Sequence, residues 1–590
     1  MSKVFETIKH NVDFCVVGGG LSGMCAAIAA ARNGLKVAIM QDRPLFGGNA
    51  SGEIRMWVCG ANGKDNRETG IMEEIALENL YRNPYRTWPV WDTILFEKVK
   101  QEENIEIILN CSCNDIEMDG NRIVSIKGWQ TTTQKWHEVS AKYFSDCSGD
   151  SVLAPLTGAE YRMGREARSE FDESIAPEVA DKKTMGMTCL IQGRQMNDKR
   201  TFIAPSWAKK YTKADLEPKR LPGIERPNEN FWYMEIGGEA NSIDDTEVLR
   251  DELLAIAMGI WDYIKNSGEC NADNWELDFV GFLPGKRESR RYVGDHIMTQ
   301  HDVSSEGKFR DVIAYGGWAM DDHHPGGINT KEPPTIFHPA PSPFGIPYRS
   351  VYSKNIENLF FAGRNISVTH TAMSSTRVMA TCAILGQAVG TAAYVANKYG
   401  LSPRGVYEER LHELQQTLIR DDCYLPFIET EISDFMKNAE ITADGVEAPE
   451  RLINGNERNF EENGIVIEAG KSIVVDFGKT AKCDLVRIVL DSDLNRETTC
   501  EGEHMNEKAT VSNIPLNLPK VHLPGFMAKD ITVEFLDDAG NWNELARISG
   551  NCKRLIKIEK EVSAKAVKIT FNEAWDGNVL NIFSVDVKEA

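Results

Sequence analysis

The feature that most constrains this chain is a glycine-rich turn between an apolar strand pattern and a small-residue helix pattern. Residues 14–17 are FCVV, three consecutive glycines follow at once, and an alanine-rich segment continues from residue 21 to about residue 33. A second apolar run occupies residues 37–40. This order of patterns predicts a strand, a tight turn, a helix and a second strand, the start of a β-α-β fold.

The glycines of the turn have the spacing G-x-G-x-x-G, which in this context is typical of a dinucleotide-binding site. Gly18 allows the tight turn, Gly20 lets the backbone approach a diphosphate, and Gly23 lets the helix pack closely on the strands. Leu21 and Ser22 begin the helix, whose amino terminus would face the phosphate charge. The turn therefore predicts a bound nucleotide cofactor.

The second strand ends where such sites normally carry an acidic residue, about 20 residues beyond the glycines, that accepts hydrogen bonds from the adenosine ribose. This chain has Gln41 there, followed by Asp42 and Arg43. A glutamine carbonyl can still accept one ribose hydroxyl, and its neutral amide repels an added 2′-phosphate less than a carboxylate does. Glutamine in place of the acidic residue weakens the prediction of NAD as the cofactor more than it weakens the prediction of FAD.

Length and charge limit the classes of function. A chain of 590 residues is too long for one core, so we expect two or three domains. The net charge of -22 opposes sequence-independent binding to nucleic acid or anionic lipid. The first residues lack a signal-peptide pattern and no run reaches about 20 apolar residues, so we expect a cytoplasmic protein without a membrane span. The 13 scattered cysteines include no Cys-x-x-Cys pair, which predicts no metal site.

Changes of pattern divide the chain into four segments. The β-α-β start lies in 1–157, and an irregular region rich in Trp, Pro and Gly follows at 158–345. A strand pattern and a long small-residue helix pattern in 346–430 return to the character of the first segment. Alternating runs in 445–590, with a polar loop at 502–513, predict a C-terminal antiparallel β-sandwich. We therefore predict an α/β fold, in which a Rossmann-like domain carries an inserted α+β substrate domain and the appended sandwich.

Three further stretches resemble a known family. They are GGNASGEIRMW after the second strand, GKRESRRYVGD in the inserted region, and NLFFAGRNIS with the following STRVMATCAILGQAVGTAA. These stretches are similar to the FAD-dependent oxidoreductases of the glutathione-reductase-like flavoprotein superfamily, a group often found in bacteria that degrade glycans. The resemblance covers roughly residues 12–398 and implies a Rossmann-like FAD-binding domain, FAD as the cofactor and oxidoreductase activity.

The resemblance places three more segments against FAD. The loop after the second strand offers two glycines as a backbone cradle for the diphosphate, with Asn49 and Ser51 as side-chain donors. SDCSGDS passes the adenosine half, and FFAGRN passes the ribityl chain with Arg364 where many relatives carry an acid. A helix predicted to begin near residues 374–376 aims its positive end at the flavin. The expected contacts besides the glycine turn are Gln41, Asp42, Arg43, Gly47, Gly48, Asn49, Ser51, Ser148, Gly149, Asp150, Gly363, Arg364, Ser374 and Ser375.

Candidate catalytic groups lie near the expected flavin. His370 precedes the flavin-facing helix, so its imidazole is expected to take a proton while hydride leaves for the flavin. His323 and His324, in MDDHHPGG on a Gly/Pro-rich loop, are a second proton-handling candidate, and without a third ligand at metal spacing we expect no metal there. Arg290 and Arg377 could hold a substrate carboxylate or charge on the reduced flavin, while ion pairs with Glu or Asp are their alternative role.

These observations predict an FAD-dependent oxidoreductase that transfers hydride between a small-molecule substrate and flavin N5. The family association and the predicted sandwich favour a sugar or glycoside hydroxyl carbon as the reacting group. One alternative is a carboxylate-handling enzyme of the fumarate-reductase or aspartate-oxidase kind. Another is a glycan- or partner-binding protein whose flavin is not catalytic. The sequence leaves open the electron acceptor, covalent attachment of FAD and formation of a homo-oligomer.

Overall fold

The computed structural model describes residues 5–500 and 510–590. Its first 157 residues build most of a central sheet and the helices that cover it. The inner strands are apolar at successive positions, as parallel strands buried on both faces require. The elements are β1 (Thr7–Val17), α1 (Leu21–Arg32), β2 (Val37–Met40), α2 (Ile71–Arg82), α3 (Trp88–Lys100), β3 (Ile105–Ile108), β4 (Cys111–Asp119), β5 (Arg122–Gln130), β6 (Lys135–Asp146) and α4 (Leu153–Thr157).

The central sheet is parallel, and two antiparallel strands extend it. Strands β3, β2, β1 and β6 are neighbours in that order and all run parallel. The first half of β6 pairs antiparallel with β5 on its other edge, and β5 pairs with β4. The predicted β-α-β start is present, and the free edge at the end of β6 is left for a strand from much later in the chain.

The inserted segment forms two-stranded antiparallel pairs around one long helix. The helix buries Leu253, Ile260 and Trp261 in a hydrophobic cluster of its own. The predicted boundary at residue 345 falls inside a strand that pairs with Val312–Gly316, so the insertion ends after that strand. Its elements are β7 (Tyr161–Arg162), α5 (Arg168–Phe171), β8 (Met187–Thr188), β9 (Ile191–Gln195), α6 (Lys213–Leu216), α7 (Thr246–Asn266), β10 (Trp275–Val280), β11 (Gly285–Lys286), β12 (Arg291–Tyr292), α8 (Gln300–Ser304), β13 (Val312–Gly316), β14 (Met320–His323), β15 (Thr335–His338) and β16 (Phe344–Pro347).

The chain then returns to the central sheet, where its next strand pairs parallel with the end of β6. The helix predicted to begin near residues 374–376 begins at His370 instead, because the Thr369 hydroxyl caps it by accepting a hydrogen bond from Ala372 N at 3.2 Å. That helix ends at Thr376, and a second one starts at Met379. The elements are β17 (Leu359–Phe361), α9 (His370–Thr376), α10 (Met379–Tyr399), α11 (Pro403–Glu409) and α12 (Leu411–Arg420).

Helices α1 and α10 pack with their backbones in close contact. A Cβ at Gly386 would lie 1.9 Å from the carbonyl oxygen of Ser22, and a Cβ at Gly390 would lie 2.2 Å from that of Ala26. The spacing of four residues puts both glycines on one face of α10. By length and composition α10 resembles a membrane span, but 89% of its apolar window is buried inside the fold, which makes it a core helix.

The last segment is an antiparallel sandwich built on two strands of 20 residues. The first half of β20 pairs with β18 and the second half with β24, while β23 pairs along both halves. Apolar residues of both halves share one hydrophobic cluster, which places the two sheets face to face. The elements are α13 (Asp434–Lys437), β18 (Glu440–Ala443), α14 (Phe460–Asn463), β19 (Ile465–Glu468), β20 (Lys471–Leu490), β21 (Ala528–Leu536), β22 (Trp542–Ile548), β23 (Leu555–Ala574) and β24 (Val579–Glu589).

The predicted start of the sandwich differs from the structure. Strand β18 precedes residue 445 and pairs with β20, so the sandwich begins earlier than its predicted start. The polar loop predicted at 502–513 falls mainly on residues 501–509, which lie outside the described residues. A strand of four residues with a mixed polar sequence carries too little alternation to be recognised before its pairing is known.

Buried polar contacts hold the sandwich against the rest of the molecule. Arg554 Nε lies 3.1 Å from Asp422 Oδ1, just beyond α12, and both side chains are buried. Arg496 lies 2.5 Å from Glu73 on α2. The amide oxygen of Asn513 accepts a hydrogen bond from the backbone N–H of Gly193 in the inserted segment at 2.8 Å. Removal of one partner from such a pair would leave an uncompensated buried charge, so the sandwich is an integral part of the fold.

Candidate active site

A cavity of about 680 Å³ opens at the edge of the central sheet where β1, β2, β6 and β17 have their carboxyl ends. Parallel strands end at the same edge, so the segments that follow them meet there although the sequence separates them widely. The predicted cofactor contacts in the cavity wall are Gly18, Gly20, Leu21, Ser22, Gln41, Asp42, Arg43, Gly47, Gly48, Asn49, Ser148, Gly149, Asp150, Gly363 and Arg364.

Four other predicted cofactor contacts lie outside the cavity wall. Gly23 is packed so tightly that a Cβ there would lie 1.9 Å from the carbonyl oxygen of Gly18. The hydroxyls of Ser51, Ser374 and Ser375 each donate a hydrogen bond to a backbone carbonyl, at 2.6 to 2.8 Å. These four residues shape the turns and helices around the cavity, and their side chains do not reach it.

The two glycine-rich turns lie side by side in the cavity wall. Gly18 has φ 103°, and a Cβ there would lie 2.4 Å from the carbonyl oxygen of Cys147, so only glycine fits. Gly20 forms a β-bridge with Gly47. A Cβ at Gly20 would meet one atom within 4 Å, Gly48 Cα at 3.9 Å, so this position faces open space. The pair of turns forms a backbone cradle that a side chain at Gly20 would fill.

The structure gives Gln41 a role inside the protein. Its side chain is buried, and its Oε1 accepts a hydrogen bond from the backbone N–H of Gly19 at 2.7 Å. Its Nε2 donates to the carbonyl of Leu45 at 3.2 Å. Gln41 therefore braces the first glycine turn against the loop that leads to the second one. The neighbouring carboxylate of Asp42 is exposed in the cavity wall and is the better placed acceptor for a ribose hydroxyl.

A cluster of charges around Asp150 fixes the middle of the cavity wall. Lys286 Nζ and Arg364 each lie 2.8 Å from a carboxylate oxygen of Asp150. The Ser289 hydroxyl donates to the same carboxylate at 2.8 Å. Burial opposes the charged form of Asp150, but Arg364 and Lys286 outweigh it and keep its pKa below the usual range. The arginine found where many relatives carry an acid is thus held in place by a neighbouring acid.

The charge balance of the cavity wall suits a bound dinucleotide. Six cationic side chains and three anionic ones line it, an excess of three positive charges in a chain whose net charge is -22. Buried N–H groups of Trp318, Arg364 and Arg377 have no hydrogen-bond partner within the described ranges. A ligand with a diphosphate and several carbonyl acceptors would satisfy both features. The residues present therefore fit FAD, with the adenosine at Asp42 and the diphosphate at the glycine turns.

The polar side chains of β14 point to opposite faces of the strand. Asp321 and His323 line the cavity, whereas Asp322 between them points to the opposite face and contacts His370. The predicted Gly/Pro-rich loop at this position is therefore wrong for its first residues, which pair with β15. The loop starts at His324, whose Nδ1 accepts a hydrogen bond from Gly326 N at 3.1 Å and which is not part of the cavity wall.

His323 is the histidine that the structure brings to the cavity. It is buried, and its Nδ1 lies 2.9 Å from Glu235 Oε1, a carboxylate with no exposed surface. Its Nε2 lies 3.4 Å from Asp321 Oδ2. Glu235 is itself balanced by Arg287 at 3.0 Å. The imidazole is thus held through Nδ1 by a compensated carboxylate, while Nε2 faces Asp321, which also lines the cavity.

Asp321 links this histidine to the predicted Arg377. Arg377 lies 3.2 Å from the carboxylate of Asp321 and also lines the cavity. Burial opposes ionisation of Asp321, but His323 and Arg377 outweigh it and hold its pKa far below the usual range. Arg290, in contrast, donates to the carbonyl of Asp150 at 3.3 Å and lies at the dinucleotide end of the cavity.

His370 lies behind the cavity wall. Its Nδ1 is 2.8 Å from Glu288 Oε2, and its Nε2 is 3.1 Å from Asp322 Oδ1. Burial disfavours the imidazolium, but the two carboxylates outweigh burial and raise the pKa of His370 to about 10. A histidine that is already protonated at neutral pH, with both nitrogens engaged, is a poor proton acceptor. His370 is thus bound by carboxylates on both ring nitrogens and is not part of the cavity wall.

We expect the stability of the protein to depend on His370 and on pH. The protonated imidazole stabilises the fold fully below about pH 6.5, the ordinary pKa of histidine, and this contribution is lost as pH rises through the folded value of about 10. His370→Gln is therefore expected to lower the melting temperature of the FAD-loaded protein most at about pH 6.5. The difference from wild type should shrink as pH approaches about 10, as measured by differential scanning calorimetry.

The control for this experiment is His412→Gln, since His412 is an exposed histidine paired with Glu431 at the surface. It should leave the melting temperature close to wild type at every pH. An equal difference between wild type and His370→Gln at both ends of the pH range would show that the charge of His370 contributes nothing to stability.

Sequence patterns missed the residues that orient His323. Glu235 lies 88 positions before it, in the segment between α6 and α7, and no spacing connects the two residues. Trp232 packs edge-on against the imidazole with ring centres 5.2 Å apart. The available signal was the alternation of Asp321 and His323, which predicts that both side chains share one face of a strand.

The solved structures that resemble this chain include carbohydrate-binding modules that match about a quarter of its length. A chitosan-binding module from a Paenibacillus sp. IK-5 chitosanase/glucanase is 13% identical and covers 27% of this chain and 99% of its own, with a TM-score of 0.19. The family 32 carbohydrate-binding module of Streptococcus pneumoniae EndoD is 15% identical, covers 26% and 98%, and has a TM-score of 0.19. A Streptococcus pneumoniae fucose binding module is 18% identical, covers 27% and 100%, and has a TM-score of 0.19.

The search of curated proteins gives no match. The family model described as FAD dependent oxidoreductase matches residues 13–418, more than half of the chain. This range starts in β1, ends in α12 and contains every residue named above in the cavity wall. The predicted family and cofactor are confirmed, and the chain belongs to the FAD dependent oxidoreductase family.

Proposed function

We propose that the protein oxidises a hydroxyl-bearing carbon of a small polar substrate, a sugar or a glycoside, with His323 as the acceptor of the hydroxyl proton. The observation that carries the proposal is the buried pair of His323 and Glu235, in which His323 lines the same cavity as the glycine turns. A carboxylate on one ring nitrogen of a histidine favours the proton on that nitrogen and leaves the other as an acceptor.

The chain supplies binding and proton transfer in this reaction, and bound FAD supplies the acceptor for the hydride of the substrate C–H bond. The glycine turns, Asp42 and the Asp150 cluster hold the cofactor. Glu235 holds the Nδ1 side of His323, and Nε2, which faces Asp321 at 3.4 Å in this structure, takes the substrate proton as the carbonyl product forms. Two electrons and one proton leave the substrate as hydride, and one proton leaves to His323.

The wall around His323 supports a polar substrate. Asp321 and Arg377 offer an acceptor and a donor beside the imidazole, and the indoles of Trp232 and Trp318 line the same region. Charged and amide groups that form hydrogen bonds with hydroxyls, together with aromatic surface that covers C–H groups, are the components of a carbohydrate site.

A second candidate function is oxidation or reduction of a carboxylate-bearing substrate. The observation that favours it is Arg377, whose Nε is buried without a partner in the part of the chain that the structure describes. Arg287 also lines the cavity, although Glu235 and the carbonyl of Trp232 already engage it. The two arginines together would bind one carboxylate.

Anaerobic titration of the FAD-loaded protein would separate the two functions. We expect neutral sugars or glycosides to bleach the visible flavin absorbance, whereas dicarboxylates and amino acids leave it unchanged. Bleaching by carboxylates alone would establish the second function. A fully loaded protein that no member of either panel bleaches would contradict both functions.

A further inference from the structure

A second cavity, of about 350 Å³, lies where the flavoprotein part meets the C-terminal sandwich. Three stretches of chain enclose it: the loop 58–63, one face of α2 and the sandwich loop 494–496. Trp318 and Cys59 are in the walls of both cavities, so the two are neighbours across these side chains. Cavities of this size at a junction between domains are typical places for small ligands.

A buried ion pair crosses the junction inside this wall. Arg496 of the sandwich lies 2.5 Å from Glu73 of α2, and both side chains are almost completely buried. Arg496 has φ 57°, a left-handed backbone conformation that is uncommon for a residue other than glycine. Residues held in this conformation are enriched at ligand sites, where the surrounding structure maintains the strain. The loop thus holds the guanidinium of Arg496 at the cavity at a cost in backbone energy.

Only one of the two carboxylate oxygens of Glu73 has a hydrogen-bond partner among the described residues. Its Oε2 accepts from Arg496, but its Oε1 is buried and has no hydrogen-bond partner within residues 5–500 and 510–590. A buried carboxylate oxygen without a donor costs about 1–3 kcal/mol or more, so its retention calls for an explanation. A ligand that donates a hydrogen bond, such as a hydroxyl, would remove this cost.

The other polar groups of the wall include both donors and acceptors. Glu68 is buried, and its Oε1 accepts from Ala61 N at 2.8 Å and from the Thr381 hydroxyl at 2.9 Å. Asn62 is exposed at the margin of the cavity. Two carboxylates and two guanidiniums line the cavity, so its formal charge is balanced, unlike the excess of positive charge in the FAD cavity.

We propose that this second cavity binds a neutral polyhydroxylated molecule of about monosaccharide size, and that the sandwich completes the site through residues 494–496. Balanced charge offers no net attraction to an anion or a cation, whereas paired donors and acceptors suit hydroxyl groups, each of which both donates and accepts. The Trp318 indole adds aromatic surface for C–H groups. This site is separate from the His323 end of the first cavity and does not depend on which substrate is oxidised there.

Isothermal titration calorimetry of the FAD-loaded protein tests the proposal. The probes are glucose, galactose, mannose and N-acetylglucosamine, with glucuronate and glucosamine as charged comparators of the same size. At least one neutral sugar is expected to bind, and to bind at least about tenfold more tightly than either charged comparator. Failure of all four neutral sugars to bind, or tighter binding of a charged comparator, would overturn the proposal.

Two variants locate the binding. Ala76→Leu places a larger side chain in the cavity from α2. Ala76→Ser at the same position is the control, because serine is close to alanine in size. Asn62→Trp blocks the margin from an exposed position, so it preserves the fold if Ala76→Leu does not. We expect Ala76→Leu and Asn62→Trp to weaken sugar binding at least about tenfold while FAD content and Ala76→Ser binding stay at the wild-type level. Unchanged affinity in folded Asn62→Trp would place the sugar elsewhere and refute the second site.

The cavity variants and the flavin absorbance are separate readouts, so the second site and the proposed oxidation can fail independently. Sugar binding that the cavity variants abolish, in a protein whose flavin no sugar bleaches, would support the second site and contradict the proposed oxidation. Bleaching by a sugar whose affinity the cavity variants leave unchanged would support the oxidation and contradict the second site.

Discussion

Gly20→Val is expected to give a folded protein that does not retain FAD. Gly20 has φ -67° and ψ 176°, an extended conformation that valine adopts readily. Its Cβ would lie 3.9 Å from Gly48 Cα, so the apoprotein loses nothing in packing. The added methyl groups would fill the space between the two glycine turns, where the diphosphate must approach the backbone. We expect FAD affinity to fall at least about 100-fold, which corresponds to about 2.7 kcal/mol.

Two measurements separate loss of FAD binding from loss of stability. The ratio of flavin to protein absorbance after purification gives the FAD content, and the melting temperatures of the wild-type and Gly20→Val apoproteins compare their stability. The matched control is Gly23→Val, because a Cβ at Gly23 would lie 1.9 Å from the carbonyl oxygen of Gly18 and must disturb the turn itself. That variant should lose stability as well as FAD. A Gly20→Val protein with a full complement of FAD would mean that the cofactor does not pass between the turns.

The part of this site that sequence reasoning predicted depends on local patterns. A glycine turn between a strand and a helix has one geometry, and parallel strands bring their carboxyl ends to one edge whatever lies between them in the sequence. The turns at Gly18 and Gly47 and the segments near Asp150 and Gly363, which were predicted to contact FAD, therefore lie together in one cavity wall. Each of these segments follows a strand or a turn whose position can be predicted from the hydrophobic pattern alone.

The part that sequence reasoning did not predict depends on tertiary pairing of charges. Both His370 and His323 lie between two carboxylates, and only the structure shows that the second lines the cavity while the first lies behind its wall. The break between α9 and α10 was also not predicted, because Val378 takes an extended backbone conformation between the two helices and no glycine or proline in the sequence marks the position. Pairings between distant residues leave no periodicity in a single sequence.

The contacts between the flavoprotein part and the sandwich were also not predictable from the sequence. Arg496, Asp422 and Glu73 occur in segments with no shared pattern, yet they form the buried contacts that hold the sandwich in place. A module joined by a flexible linker would not need such contacts, because buried charges are costly unless each is paired. The sandwich therefore has a structural reason to remain with the enzyme, in addition to any ligand that it binds.

His323→Gln is expected to lower the rate of substrate oxidation by about 100-fold to 10,000-fold, the usual range for loss of a general base. The fold should survive, because Glu235 keeps Arg287 as its partner at 3.0 Å after the imidazole is removed. Glutamine retains hydrogen-bonding capacity but cannot take up the substrate proton. The effect should therefore fall on kcat and on the rate of flavin bleaching under anaerobic conditions, while KM and FAD content change little.

The matched control is His324→Gln, one residue further along. His324 is outside the cavity wall, and its Nδ1 accepts a hydrogen bond from Gly326 N, which the glutamine side chain can also do. This variant should oxidise substrate within about threefold of wild type, since it removes no proton acceptor from the cavity. Equal rates in the two variants would mean that neither histidine accepts the proton. Asp321, the carboxylate that lines the cavity beside His323, would then be the next side chain to replace, as Asp321→Asn.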